Sequence, residues 1–218
     1  MNKLIISLFT IGLMNSLVFA STSDKIMQSN ITDTQFTISW VSQKAEIGLV
    51  RYGGTNTTNI AYDDRGSNTV TTVHHVTFLG LSPQTTYCYE IISGQTTLGK
   101  FILTTGSSVI PAGNDLVYGK VFQANGETLA EGAIVYLRLQ DYDQEGSEDE
   151  SALYSILVDS GGYWYMNLVN FRNKDLTKQF SYSPQGDILF IQGECGFSES
   201  VELKIDTKDA APAPDLRF

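Results

Sequence analysis

The chain has 218 residues, with 14 basic against 24 acidic side chains and 42% hydrophobic residues. That apolar share is too high for a disordered chain and sufficient for a packed core. A formal charge of -10 offers no basic face with which to displace the counterions of a nucleic acid or to hold an anionic membrane.

Lys3, an apolar stretch over residues 4–19 and small residues at Val18 and Ala20 predict a signal peptide over residues 1–20, cut before Ser21. The exported remainder keeps 13 basic and 24 acidic residues, a charge of -11 that serves solubility. No second long apolar run follows, so no membrane insertion is expected after cleavage. The expected location is secreted, extracellular or cell envelope, the periplasm included.

Residues 33–41 alternate Phe36, Ile38 and Trp40 with Gln35, Thr37 and Ser39, the period of a strand with one buried face. Further strands are predicted at 46–52, 70–79, 86–92 and 98–103, with turn signals evenly spaced between them, as an all-β sandwich requires. Gly80-Leu81-Ser82-Pro83-Gln84-Thr85-Thr86-Tyr87 resembles the turn and tyrosine corner of a fibronectin type III domain. Trp40 stands where that family places its core tryptophan, and the resemblance implies a hydroxyl of Tyr87 bonded to nearby backbone. Val50-Arg51-Tyr52-Gly53, His75-Val76-Thr77-Phe78-Leu79-Gly80-Leu81 and Gly99-Lys100-Phe101 are similar, more closely, to the N-terminal fibronectin-like domain of purple acid phosphatases. In that family the metal chemistry sits in a separate domain, whose Gly-Asn-His type motifs this sequence lacks. Its two histidines, His74 and His75, are neighbours on a predicted strand and so point to opposite faces, which prevents them from sharing a metal. Asn30-Ile31-Thr32 and Asn56-Thr57-Thr58 match glycosylation sequons, and chance matches are expected in so Thr- and Asn-rich a chain.

A stretch of small residues with Gly and Pro over 107–113 reads as a linker. Beyond it, strands are predicted at 116–122 and 132–139, with a turn at Asn125-Gly126. Gly119-Lys120-Val121, Ala133-Ile134-Val135, Gly162-Tyr163 and Asn167-Leu168 resemble, in order, the motifs of carboxypeptidase regulatory-like, transthyretin-like sandwiches. Residues 173–186 form a longer polar insertion, 188–191 and 201–205 supply closing strands, and 207–218 form a tail. The fold class expected is all-β, two tandem immunoglobulin-like β-sandwiches over 22–106 and 114–206.

Three places attract a chemical reading. Asp141, Asp143, Glu145 and Gly146 imitate the first half of a calcium loop, so Asp141, Asp143 and Glu145 are candidate ligands for calcium. Ala152 stands where such a loop has a bidentate Glu, and no helices flank it; the competing reading is a solvated acidic hairpin loop. Within Tyr163-Trp164-Tyr165 alternation buries one set and exposes the other; with the tyrosines inward, Trp164 is the candidate contact for a sugar or a protein. Cys88 and Cys195, one in each half, are candidates for a disulfide that export would permit. No catalytic residue or other cofactor is expected. The reading is an exported, non-catalytic protein for adhesion, recognition or spacing, with protein or carbohydrate partners at the cell surface; the alternative is an accessory region or partner of an exported hydrolase such as a phosphatase.

Overall fold

A computed structural model describes residues 25–196 and 199–218, so the predicted signal peptide lies outside the described residues. The first sandwich is made of β1 (Met27–Ser29), β2 (Gln35–Gly53), β3 (Asn59–Tyr62), β4 (Val70–Leu79), β5 (Thr86–Ser93) and β6 (Thr96–Thr104). The strands expected at 33–41 and 46–52 are one strand that changes sheet. Its first part pairs with β1 and β4, and its later part with β3 and β5, after an irregularity between Val41 and Glu46. Such a break bends a strand and lets it serve both layers. Phe36, Ile38, Trp40, Val76 and Phe78 meet Val50, Tyr89 and Ile91 in the core between the layers. The hydroxyl of Tyr87 accepts the backbone N–H of Ser82 at 2.9 Å, the bond expected of a tyrosine corner.

The second sandwich contains β7 (Leu116–Phe122), β8 (Ile134–Gln140), β9 (Tyr154–Leu157), β10 (Tyr163–Asn167), β11 (Ile188–Gly196), β12 (Glu199–Asp206) and β13 (Leu216–Arg217). One sheet has the order β12-β11-β8-β9 and the other β10-β7-β13. Val121, Leu137, Leu139, Trp164, Leu189 and Ile191 fill the space between them. Of the two alternatives for the tail at 207–218, a disordered end or a paired edge segment, the second holds: β13 pairs in parallel with β7, and Ala210, Ala213 and Leu216 are buried. Small side chains there let the chain lie close against the sheet, where a longer polar segment would have stayed in water.

The two sandwiches are stacked. The sheet of β1, β2 and β4 turns its second face to β8 and β9, where Val41, Val73, Ile134 and Tyr136 form a third buried cluster with Met27, Leu153 and Leu157 at its margin. The molecule is therefore four sheets deep. The linker is held on both sides of the joint: Gly106 donates to the carbonyl of Thr32 at 2.8 Å and Ser107 to that of Leu176 at 3.1 Å.

Candidate functional site: a polar joint and an aromatic sheet face

On the first sandwich, Ser29, Thr37, Ser39 and His75 occupy the alternate positions that a strand pattern assigns to solvent, yet all four are buried. Small hydroxyls suit this face because buried polar groups must be hydrogen-bonded, and each finds its partner here. Ser39 Oγ lies 2.7 Å from Tyr136 Oη, and burial pushes the Tyr136 phenol well above its usual range. Asn30 donates through Nδ2 to the carbonyl of Ser155 at 2.9 Å and accepts the N–H of Ser155 at Oδ1 at 2.9 Å. Two charged links complete the joint, Lys25 with Glu194 at 2.6 Å and Arg172 with Asp33 at 2.7 Å.

His75 joins this seam. Its Nδ1 is 2.7 Å from Asp64 Oδ2 and its Nε2 is 2.9 Å from Ser155 Oγ. Carboxylate, imidazole and hydroxyl stand in the order of an acid–base–nucleophile relay. The hydroxyl has no room for a substrate, however: Ser155 is 4% exposed, and its Oγ also meets Ser29 Oγ at 2.6 Å and Asn30 Nδ2 at 3.3 Å. The relay closes the joint. His74 points the other way, as alternation requires, and stacks on Trp40 with ring centroids 4.6 Å apart. Its Nε2 lies 3.1 Å from Ser42 Oγ, while its Nδ1 is buried without a partner. Burial lowers its pKa to about 4, so the ring is neutral.

Of the residues expected to hold calcium, Asp141 and Asp143 come together and Glu145 does not. The third member is Asp187, which enters from the start of β11; the ligand oxygens of the three lie within 4.8 Å of one another. Gly146, at φ +92°, lies so close to the backbone of Ser181 that a Cβ would overlap it, and beyond this close turn Glu145 is left exposed in solvent. Asp187 is buried, and its two oxygens accept the N–H groups of Tyr142 and Ser183 at 3.0 and 2.8 Å. Sequence spacing within one loop gave no sign of a residue more than forty positions away.

Trp164 is the clearest correction. It is fully buried, opposite Gly119 in the β7–β10 register, and a Cβ on Gly119 would come within 2.9 Å of its Nε1. The indole fills the space that glycine leaves, which turns both neighbouring tyrosines outward. The exposed positions are Tyr163 at 40%, Tyr165 at 54%, Tyr118 at 37% and Leu116 at 48%. Tyr165 pairs across the strands with Tyr118, and Tyr163 with Lys120. The ammonium of Lys120 lies 4.5 Å from the centre of the Tyr163 ring, a cation–π contact. Adjacent aromatic residues gave the sequence no way to choose the inward one, but a glycine between Val117 and Val121 on the facing strand was an available signal.

Cys88 and Cys195 lie in different sandwiches and are not bridged to one another. Cys88 borders a groove of about 680 Å³ with Gln28, Lys100 and Ile102, while Cys195 packs at the margin of the second core. Asn30, the first sequon residue, is engaged in the joint; Asn56 is exposed.

Residues 25–107 match the family model of the purple acid phosphatase N-terminal domain. The chain is also similar, at low identity, to solved structures. The FN1–FN3 domains of chicken CNTN1 share 10% identity over 84% of this chain and 64% of that one, with a TM-score of 0.29. A two-domain fibronectin type III segment from chicken tenascin shares 14% identity over 84% of this chain and 98% of that one, with a TM-score of 0.28. The chain thus spans somewhat under two thirds of the CNTN1 fragment. No curated protein matches the sequence. Among the described residues no helix is long and apolar enough to cross a membrane.

Proposed function

We propose that this is an exported, non-catalytic recognition and spacing protein that works at the cell surface or outside the cell. The observation that supports it is the Tyr118–Tyr165 face, carried on a body whose two sandwiches are bonded to each other through buried polar groups. Exposed aromatic residues grouped on one sheet face mark a contact surface. The joint keeps that surface at a fixed attitude to the rest of the chain. The second sandwich, on its short motifs, is read as a carboxypeptidase regulatory-like module, which in that family is an accessory without an active site. The test is a pull-down of the full exported chain against extracts of its own cell envelope. Partners retained by the unaltered protein and lost by the Tyr118→Ala/Tyr165→Ala double variant support the reading; an unchanged set of partners overturns it.

A second reading follows from the family match at residues 25–107: the chain serves beside an exported hydrolase such as a metallophosphatase. Co-purification of phosphatase activity with the tagged chain, sensitive to chelators and removed by high salt, would favour that role. Activity that stays with the chain itself would instead make it an enzyme.

The acidic loop adds a cation point to either reading. The convergence of Asp187 with Asp141 and Asp143 favours weak calcium binding, because three carboxylates supply part of the six to eight oxygens that calcium takes.

A further inference from the structure

We propose that the outward face of β7 and β10 binds an acidic polysaccharide, with sugar rings stacked on Tyr118 and Tyr165 and an anionic group of the glycan on Lys120. The proposal rests on the recognition reading above and supplies its ligand class.

Three observations carry it. The first is shape. Tyr118 and Tyr165 are directly opposed on neighbouring strands, and opposed Cβ atoms on a sheet lie about 5 Å apart. The two exposed side chains therefore stand side by side on one open sheet face, and Tyr163 follows along the strand about 7 Å away. A peptide docking by its side chains needs pockets, whereas a ring polymer needs an open face.

The second is chemistry. An aromatic face is electron-rich and attracts the C–H-bearing face of a sugar ring, while the tyrosine hydroxyls at the rim can bond to the sugar hydroxyls. The third is charge. The molecule carries ten more acidic than basic residues, yet the six outward positions of the two strands, Leu116, Tyr118, Lys120, Tyr163, Tyr165 and Asn167, include no carboxylate. Lys120 lies on the Tyr163 ring, and the ion pairs among the described residues do not include it. One row further, Arg217 lies 4.6 Å from the Phe122 ring centre, although its guanidinium is held by Asp215 and the carbonyl of Gly126. The outward positions of the two strands thus offer an anionic chain a cation and no carboxylate, with Asp159 at the margin beside Tyr163.

The test is calorimetric titration of the full exported chain with polygalacturonate, alginate and heparin. Fully methyl-esterified polygalacturonate serves as the uncharged control and poly-glutamate as the acidic peptide control. Expected is binding to at least one acidic polysaccharide, weakened about tenfold by Tyr165→Ala, as for the loss of one stacked ring. Lys120→Gln should weaken it at least threefold, and the esterified polymer should bind at least threefold more weakly than its acid. Both variants change exposed side chains, and unchanged melting temperatures confirm that the fold persists. Absence of binding to all three polysaccharides, or binding indifferent to Tyr165→Ala, overturns the proposal. If poly-glutamate binds as well as the glycans and is equally sensitive to Tyr165→Ala, the glycan assignment falls while the recognition surface stands. If nothing binds and the envelope pull-down is also unchanged, both fall.

Discussion

Asn30 pairs with Ser155 as one strand residue pairs with another: its carboxamide accepts the N–H and donates to the carbonyl of the same residue, both at 2.9 Å. It does so with a backbone φ of +52°, a conformation that asparagine tolerates better than most residues. Its own N–H also donates to the carbonyl of Leu153 at 3.0 Å. One residue of the first sandwich thus extends a strand edge of the second.

Asn30→Ala should therefore cost about 2–4 kcal/mol, because it strands both backbone groups of Ser155 inside the joint. Calorimetry of the unaltered chain is expected to show one unfolding transition, and the variant two. Ser155→Ala should cost about 1–3 kcal/mol by leaving His75 Nε2 and Ser29 Oγ short of a partner. The double variant should lose less than the sum, since the two residues share one network.

Acid stability should depend on His74. Its folded pKa of about 4 lies below the ordinary histidine value of about 6.5. In that interval the unfolded chain binds the extra proton, so stability is full above about pH 6.5 and falls as pH drops towards 4. The loss should amount to roughly 2–3 kcal/mol. Urea midpoints measured from pH 7 to pH 4 check this, and His74→Phe, which keeps an aromatic ring on Trp40, should flatten the slope. Asp63 acts at lower pH. Burial raises its pKa, but hydrogen bonds from the Arg65 side chain and backbone and from the His75 backbone outweigh this and leave it below the usual carboxylate value. Its contribution is lost only below about pH 4.

Gly119→Ala should destabilise the second sandwich by about 1–3 kcal/mol, the usual cost of overpacking. The added carbon meets the indole of Trp164. Thermal unfolding should register a fall of several degrees, on the order of 2–4 °C per kcal/mol, with Trp164 fluorescence shifted as the ring moves. Gly54, beside which a Cβ meets nothing, is the control: Gly54→Ala should change the melting temperature by less than about 1 °C.

Calcium at 10 mM should raise the melting temperature by about 3–6 °C for a dissociation constant of about 1 mM. Asp143→Asn changes an exposed carboxylate of the group and should abolish the rise without lowering stability in chelator. Glu145→Gln should leave the rise intact. An equal rise in Asp143→Asn would show that the cation binds elsewhere.

The sequence made most strands of both sandwiches legible, though not the short β1, β3 and β13, along with Trp40 in the core and the corner at Tyr87, because these depend on local alternation and a local turn. It misled where a face had two possible covers. Thr37 and Ser39 read as water-facing, and water is not what covers them; the second domain supplies the Tyr136 hydroxyl to Ser39, while Thr37 is satisfied by Asn30 and Thr77 of its own sandwich. The doubly buried run at β8 was the complementary sign, since Ile134 and Tyr136 face the joint while Val135 and Leu137 face their own core. Asp187 and the outward tyrosines were hidden for a different reason. Each depends on which residue lies across a sheet or loop, and a linear pattern does not encode that pairing.

Four stacked sheets leave the molecule two broad sides, back to back: the tyrosine-bearing sheet on one, and the β3-β2-β5-β6 sheet on the other. Sheets pack about 10 Å apart, so roughly 30 Å separates these sides, with no swivel between them. Whatever attaches to one side is held at a set distance and angle from whatever attaches to the other, as between the jaws of a clamp already tightened.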